Sequence, residues 1–537
     1  MESLQKIFNN IFILLGLDPK LAQITLSGRP DLADYQINGA LSAAKILKKS
    51  PVKIADEIIS QVPTNLNITL SNVNGFINIK LTDNYLLKQL ETNLQVFQQK
   101  QKVVIDFSSP NVSKSMHVGH VRSTLIGQAL ANMYKYQGSE VISDNHIGDF
   151  GTPLGIVITK IKAQSNFNWT LSEIELNYIA GASQYKDKNQ VDFIAQVKEN
   201  TYKLQNNDSE TLAIWQKIVD TTKSALMKDY EQLGIHFDWW KGESYFQALI
   251  SPMLKELAQA GKSSLSEGAV VLDVGMDTPL ILQKQDGSVL YHTTDLACIQ
   301  ERLSEFNKIL YVVDKRQNLH FQQIFTAAQQ LGWVESQIME HVAFGTINGD
   351  DNKPFKTRDG GVLKLSDLIK MAISKAEEKM GSTADTATVG LGALKFAELK
   401  HNRLSDYVFD LDKFMALDGF TGPYVMYAAV RAQSILHKVN NKGRLGQEIQ
   451  SPEQKALILT LNQFGDYFTK ALQNNEPHVL CEYSYNLASQ FNNFYHKHSI
   501  SQSSGSDQLH LIYLVEKTVE TLTATLSLLG IKVPAKM

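Results

Sequence analysis

The chain has 537 residues, 43% apolar and 20% charged, a composition that supports sizeable cores and roughly three or four domains at about 150 residues each. A formal net charge of −3 excludes overall electrostatic attraction to nucleic acid, although a local basic groove would suffice for binding. The two cysteines, Cys298 and Cys481, exclude a disulfide framework and a cysteine zinc site, and they fit a reducing compartment.

The chain opens on "MESLQKIFNNIFILLG", where Leu4, Ile7, Phe8, Ile11 and Leu15 share one helical face. Glu2, Asn9 and Asn10 interrupt it, so a core helix is expected rather than a leader. No window suits a membrane span, and a cytoplasmic protein is expected. Residues 1–85 read as a small α+β domain. It ends in a hairpin around Asn74-Gly75, with Ile68, Leu70, Phe76, Ile77, Ile79 and Leu81 as its apolar positions. From 86 to 370, "KVVIDF", "SEVISDN", "GAVVLDV", "PLILQK", "KILYVVD" and "HVAFGTI" alternate with helical stretches. That alternation predicts an α/β domain with a doubly wound, Rossmann-like parallel sheet. A mostly helical insertion covers about 160–245. Residues 371–537 read as an all-α helical bundle without strands, and "QSSGSDQ" (502–508) as a loop between its last helices.

The stretch "SSPNVSKSMHVGHVRSTLIG" (108–127) places His117 and His120 at the mouth of a helix that follows a strand. They could share a metal with Asp144, His146 and Asp149, or be satisfied polar residues at a helix start. A third reading is a nucleotide triphosphate site. The helix N-terminus attracts anions, imidazoles donate to phosphoryl oxygens, and Gly119 leaves room for a purine.

"HVGH" resembles the HIGH signature of class I aminoacyl-tRNA synthetases. The longer run "DFSSPNVSKSMHVGHVRSTLIG" resembles arginyl-tRNA synthetases specifically. In chain order, "GFINI", "LGIHFDWWKGES", "DGSVLYHTTDLA", "VVDKRQNLHFQQ", "KPFKTRDGG", "GFTGPYVMYAAVR" and "LLGIKVPAKM" resemble that family's segments over essentially the whole length. The resemblance implies ATP-dependent adenylation of arginine and transfer to the terminal ribose of tRNA(Arg), with ATP bound as its magnesium complex and no structural zinc. It further implies a monomer that needs bound tRNA before it activates arginine.

Residue by residue, the resemblance assigns ATP to His117, Gly119, His120 and Lys356, and catalysis to His117, His120, Lys114 and Lys356. The Lys-Met-Ser-Lys-Ser loop of class I enzymes is reduced here to Lys356-Thr357-Arg358, so Lys114 is expected to supply a compensating cation. Arginine falls to Asp295, Tyr291 and Gln317, with Asp106 and Asn111 on the α-amino group. A guanidinium is permanently charged and planar, so a carboxylate such as Asp295 is its natural partner; read alone, Asp295 could equally cap a helix and Tyr291 pack a core. Phe76, Asn78, Phe491, Tyr495 and Met537 are expected at the tRNA, with one aromatic of "SQFNNFYHKH" stacking on an anticodon base. His510 in "DQLHLIYL" stands where the family often has an arginine. Two other readings compete: a nucleotidylyltransferase acting on a small metabolite, for which the helical C-terminal domain is superfluous, and a non-catalytic RNA-binding paralogue, for which an intact ATP site is superfluous.

Overall fold

The computed structural model describes residues 2–29, 32–276, 278–349, 363–381, 385–439 and 441–537. In it Asn74 and Gly75 both take left-handed backbone angles, φ 54° and 91°. A two-residue hairpin turn needs that hand at both positions to match strand twist. The turn registers Val73 against Phe76 and so joins strands Ile68–Val73 and Phe76–Leu81. Tyr35–Ile37 and Ile24–Leu26 extend this into a four-stranded antiparallel sheet. The amphipathic helix Glu2–Leu14 buries Leu4, Phe8, Ile11 and Phe12.

Residues 1–96, 428–470 and 483–524 form one compact unit, so the N-terminal sheet shares it with helices from the far end of the chain. Tyr35 Oη donates to Asp466 Oδ2 at 2.8 Å. Lys455 pairs with Asp83 at 2.9 Å, and Asn462 Nδ2 donates to the Leu86 carbonyl at 2.8 Å.

The second unit comprises 97–427, 471–482 and 525–537. Its centre is a four-stranded parallel sheet in the order Ile338–His341, Lys308–Tyr311, Lys102–Asp106, Glu140–Asp144. Strand order reverses at Lys102–Asp106, which opens a crevice beyond the carboxyl ends at Asp106 and Tyr311. The helix Val118–Tyr136 packs here so closely that a Cβ on Gly127 would collide with the Phe107 ring. Leu296 and Ile299 of helix Tyr291–Leu303 share a core with Val104, Ile309 and Ile324.

Two of the expected parallel strands lie elsewhere. Ala269–Leu272 and Leu280–Gln283 pair antiparallel, with Ser264–Ser266, in a separate three-stranded sheet. The few residues between them cannot make the crossover of a dozen or more that parallel pairing demands. The last parallel strand runs earlier than "HVAFGTI" suggests, and Ile347–Asn348 pairs instead with Tyr407–Val408, a short strand inside the region expected to be purely helical. The insertion is helical as expected, with Leu171–Lys186, Val191–Gln205 and Ser209–Leu233. Ile174, Leu204 and Ile218 pack there on Leu154, Val157 and Ile158.

Candidate active site

His117 is the N-cap of the helix that begins at Val118. Its Nδ1 accepts from the Gly119 amide at 3.1 Å, while its own amide donates to His120 Nδ1 at 3.1 Å. Two amides left unpaired at the helix start are thereby satisfied by imidazole nitrogens. Each ring then accepts through Nδ1 and carries its proton on Nε2. Burial, and next the neighbouring Lys114 charge, lower the His117 pKa. Burial, then His117, bring His120 down to about 3. Both imidazoles are therefore neutral Nε2–H donors at neutral pH. A Cβ at Gly119 would lie 2.9 Å from His117 Cε1, so the glycine also leaves space for that ring.

The connection before the helix is held in an unusual backbone. Ser108, Ser109 and Ser113 have φ of 71°, 45° and 74°, values that L-residues adopt only when surroundings impose them. Ser108 N donates to Ser123 Oγ at 2.8 Å, and Ser113 N to Thr222 Oγ1 of the insertion at 3.3 Å. Asn111 bridges to Gly148, where a Cβ would collide with the Asn111 amide oxygen.

His117 and His120 line a cavity of about 690 Å³ that is also lined by Asp106, Asn111, Gly119, Tyr291, Asp295 and Gln317. Eight of the expected substrate residues thus meet in one place. Asp295 Oδ2 takes His320 Nε2 at 2.7 Å, and His320 Nδ1 meets His292 Nδ1 at 2.9 Å. Asp106 is already engaged: Oδ2 accepts from the buried Arg302 at 2.9 Å and Oδ1 from Ser109 Oγ. The same guanidinium nitrogen binds Asp144 at 2.6 Å, so Asp144 belongs to this buried trio rather than to a metal set with His117. Lys114 rests over the Tyr178 ring, 4.4 Å from its centroid. Lys356 lies outside the described residues.

Other expected contacts need correction. Phe491 is fully buried and cannot stack on a base; its ring packs near Phe494 and Tyr495. Asn78 is 4% exposed, and its Oδ1 accepts from Gln36 Nε2 at 2.9 Å, so it faces its own sheet. Tyr495 remains partly exposed, with the Arg431 guanidinium 5.7 Å from its ring. Phe76 and Met537 are half-buried. His510 is buried, accepting the Gly446 amide at 3.0 Å.

The cavity also contains a carboxylate that sequence reasoning passed over. Glu243, first residue of helix Glu243–Gln259, lines the wall shared with Asp295. Burial pushes its carboxyl up to about 7; His146 opposes the shift while Asp295 and Asp149 add to it. Its only sequence signal is its place in "KGES", one of the segments carrying the family resemblance.

Residues 82–411 match the family model for tRNA synthetases class I (R), catalytic domain. Residues 2–81 match the arginyl tRNA synthetase N terminal domain, and 425–537 the DALR anticodon binding domain. The chain is 37% identical over 577 residues to the arginine–tRNA ligase of Francisella tularensis subsp. novicida (strain U112), covering 100% of this chain and 99% of that one. It is 35% identical over 586 residues to that of Alkaliphilus oremlandii, with the same coverage. Among solved structures, arginyl-tRNA synthetase from Plasmodium falciparum superposes with a TM-score of 0.85 at 26% identity, covering 100% and 99% of the two chains. The Thermus thermophilus arginyl-tRNA synthetase shares the fold, with a TM-score of 0.85 at 21% identity and full coverage of both chains.

Proposed function

The chain belongs to the arginyl-tRNA synthetase family, and from that premise we propose which of its residues carry each part of the reaction. The activity is ATP-dependent activation of arginine to arginyl-adenylate, followed by transfer to the 3′-terminal ribose of tRNA(Arg) with release of AMP and pyrophosphate. Neither competing reading, metabolite nucleotidylyltransferase or non-catalytic paralogue, is favoured by these matches over the full length.

One observation supports the assignment most. A single cavity at the reversal of the parallel sheet is lined by two neutral imidazole donors and by the Asp295 and Glu243 carboxylates. The arginine carboxylate is already ionised and attacks the α-phosphorus, so the step needs donors for phosphoryl oxygens more than a proton carrier. His117 and His120 supply Nε2–H groups, and being neutral they hold that role without titrating near pH 7. Gly119 and the helix N-terminus complete the nucleotide side. Lys114 and Lys356 add the cations, Lys114 leaving its place over Tyr178 to do so. Asp295 and Glu243 take the guanidinium, flanked by Tyr291 and Gln317. Asn111 orients the α-amino end; Asp106, with both oxygens engaged, holds that end through its local charge.

ATP enters as its magnesium complex. No structural zinc is proposed, since the sequence holds only two cysteines, Cys298 and Cys481, both buried. Residues 1–85 and 371–537 hold the tRNA, with Phe76, Tyr495 and Met537 as the candidate contacts that keep exposed surface, while 86–370 carries out the chemistry. A cytoplasmic monomer is proposed on the family resemblance. No helix of the described residues is long and apolar enough to cross a membrane.

The test is Asp295→Asn, assayed by arginine-dependent exchange of pyrophosphate into ATP with tRNA present. Losing a charge-assisted bond costs roughly 1.5–3 kcal/mol, or about ten- to a hundredfold in kcat/KM for arginine, while the KM for ATP stays near wild type. Unchanged arginine kinetics in the folded variant would refute the assignment.

A further inference from the structure

His146 lines the same cavity and is none of the residues assigned to ATP or arginine. Its side chain is 13% exposed, and both ring nitrogens are buried without a hydrogen-bond partner among the described residues. The nearest carboxylate oxygen, Asp295 Oδ1, lies 4.0 Å from Nε2, beyond hydrogen-bond reach. Glu243 and Asp149 stand within electrostatic range of the ring, which rests near Phe246 at 5.4 Å between centroids. Buried polar atoms are nearly always paired, so an imidazole in the wall of a substrate cavity with two buried, idle nitrogens calls for a partner.

A guanidinium has five N–H donors in a planar fan and no acceptor. His320 already occupies Asp295 Oδ2. That leaves Asp295 Oδ1 and the two Glu243 oxygens to receive the fan, with the His146 ring 4.0 Å from Asp295 and within electrostatic range of Glu243. We propose that His146 contacts the guanidinium of arginine directly, one ring nitrogen accepting an N–H that the carboxylates leave unmet. This rests on the reading above that Asp295 and Glu243 take the guanidinium, and it adds what that reading lacks. Two carboxylates attract any cation that reaches them, including an alkylammonium. An imidazole nitrogen placed to accept from a planar fan favours the guanidinium over an alkylammonium, so His146 is a specificity residue.

Arginine and ATP kinetics of tRNA-supported pyrophosphate exchange should be compared in wild type, His146→Phe, His146→Gln and Asp295→Asn, with lysine as competitor. His146→Phe is expected to raise the KM for arginine about tenfold, leave the KM for ATP within about twofold, and narrow the margin over lysine. His146→Gln, whose amide oxygen accepts, should recover most of the loss. A wild-type arginine KM in His146→Phe overturns the proposal, as does equal damage to arginine and ATP in both His146 variants. Should His146→Phe not fold, wild-type protein with nitrogen-15 histidine decides. Arginine must shift the resonance that His146→Gln removes, and an unmoved resonance, as for a ring satisfied by water, overturns the inference. If Asp295→Asn also leaves arginine untouched, the underlying reading falls; if only the His146 variants are silent, the inference falls alone.

Discussion

Glu243 carries the pH dependence expected of arginine binding. Burial in a wall shared with Asp295 raises its carboxyl from an ordinary 4.5 to about 7. Below that pH the empty cavity keeps the proton, whereas an arriving guanidinium favours the carboxylate, so binding releases a proton. Arginine affinity should be flat above about pH 7 and fall as the pH drops, approaching about tenfold per pH unit for one proton. The KM for arginine between pH 5.5 and 8.5 measures this, both values being about one and a half units from the midpoint. The slope should vanish in Glu243→Gln, and a slope common to both proteins would assign the proton elsewhere. The same shift acts on folding with the opposite sense. The folded chain holds a proton that the unfolded carboxyl gives up above 4.5, so this contribution is present at low pH and lost as the pH rises through about 7. Nothing in the residue order announces this: a lone glutamate at a helix start is ordinary, and its shift comes first from burial in the folded cavity wall, to which Asp295 and Asp149, distant in sequence, add. The histidine pair was legible because its chemistry and its helix mouth are adjacent in the chain.

At the scale of elements, the expected lysine loop is bracketed by described chain whose far end is stitched to the nucleotide site. Val118 N donates to the Leu363 carbonyl and Leu365 N to the Met116 carbonyl, both at 2.9 Å, setting Lys364 opposite His117. The insertion helix Leu171–Lys186 clamps this seam through Glu175. One carboxylate takes Ser115 N at 3.2 Å, Ser115 Oγ at 2.9 Å and Lys364 Nζ at 2.8 Å. Burial would raise the Glu175 pKa, but these hydrogen bonds outweigh it and hold it low. One helical turn on, Tyr178 carries Lys114. The insertion therefore sets both strands of the seam and one of the proposed cations. Glu175→Ala should lower the kcat of adenylation more than it raises the KM for arginine, because Glu175 holds the seam beside His117 rather than Asp295 or Glu243. It should also cost roughly 1–2 kcal/mol of stability, Lys364 being half in solvent. Exchange kinetics and a denaturant melt check both, and a stability loss with unchanged kcat would leave Glu175 a merely structural clamp. The insertion was readable from its Gln-, Asn-, Lys- and Glu-rich composition, but its grip on Ser115 was not, since 60 residues separate the partners in the chain. Strand partnership was equally hidden. A short apolar run marks "GAVVLDV" as a strand without saying that its neighbour runs antiparallel, and an aromatic such as Phe491 looks the same in sequence whether it faces solvent or core.

For the whole molecule, the unit that unites the two ends of the chain has a consequence for tRNA use. Its N-terminal sheet and C-terminal helices are joined by buried polar bonds as well as by apolar packing. Asn93 Nδ2 donates to Thr521 Oγ1 at 2.9 Å, and the 3%-exposed Tyr35 donates to Asp466, a carboxylate whose pKa burial already raises. Removing the Tyr35 hydroxyl leaves Asp466 buried without that donor, a loss of about 1–3 kcal/mol. Because both segments of this unit are proposed to hold tRNA, Tyr35→Phe should raise the KM for tRNA in aminoacylation and lower the melting temperature. The KM values for arginine and ATP, measured at saturating tRNA, should stay at wild type, since no residue of the cavity lies in this unit. The same logic separates the substrate's two roles. If bound tRNA is required before arginine is activated, exchange without tRNA should be negligible in wild type and variant alike, and with limiting tRNA the variant should fall behind until more tRNA restores it. Exchange that proceeds equally with and without tRNA would contradict the requirement. An arginine KM raised by Tyr35→Phe even at saturating tRNA would mean that the tyrosine supports the cavity itself rather than the grip on tRNA.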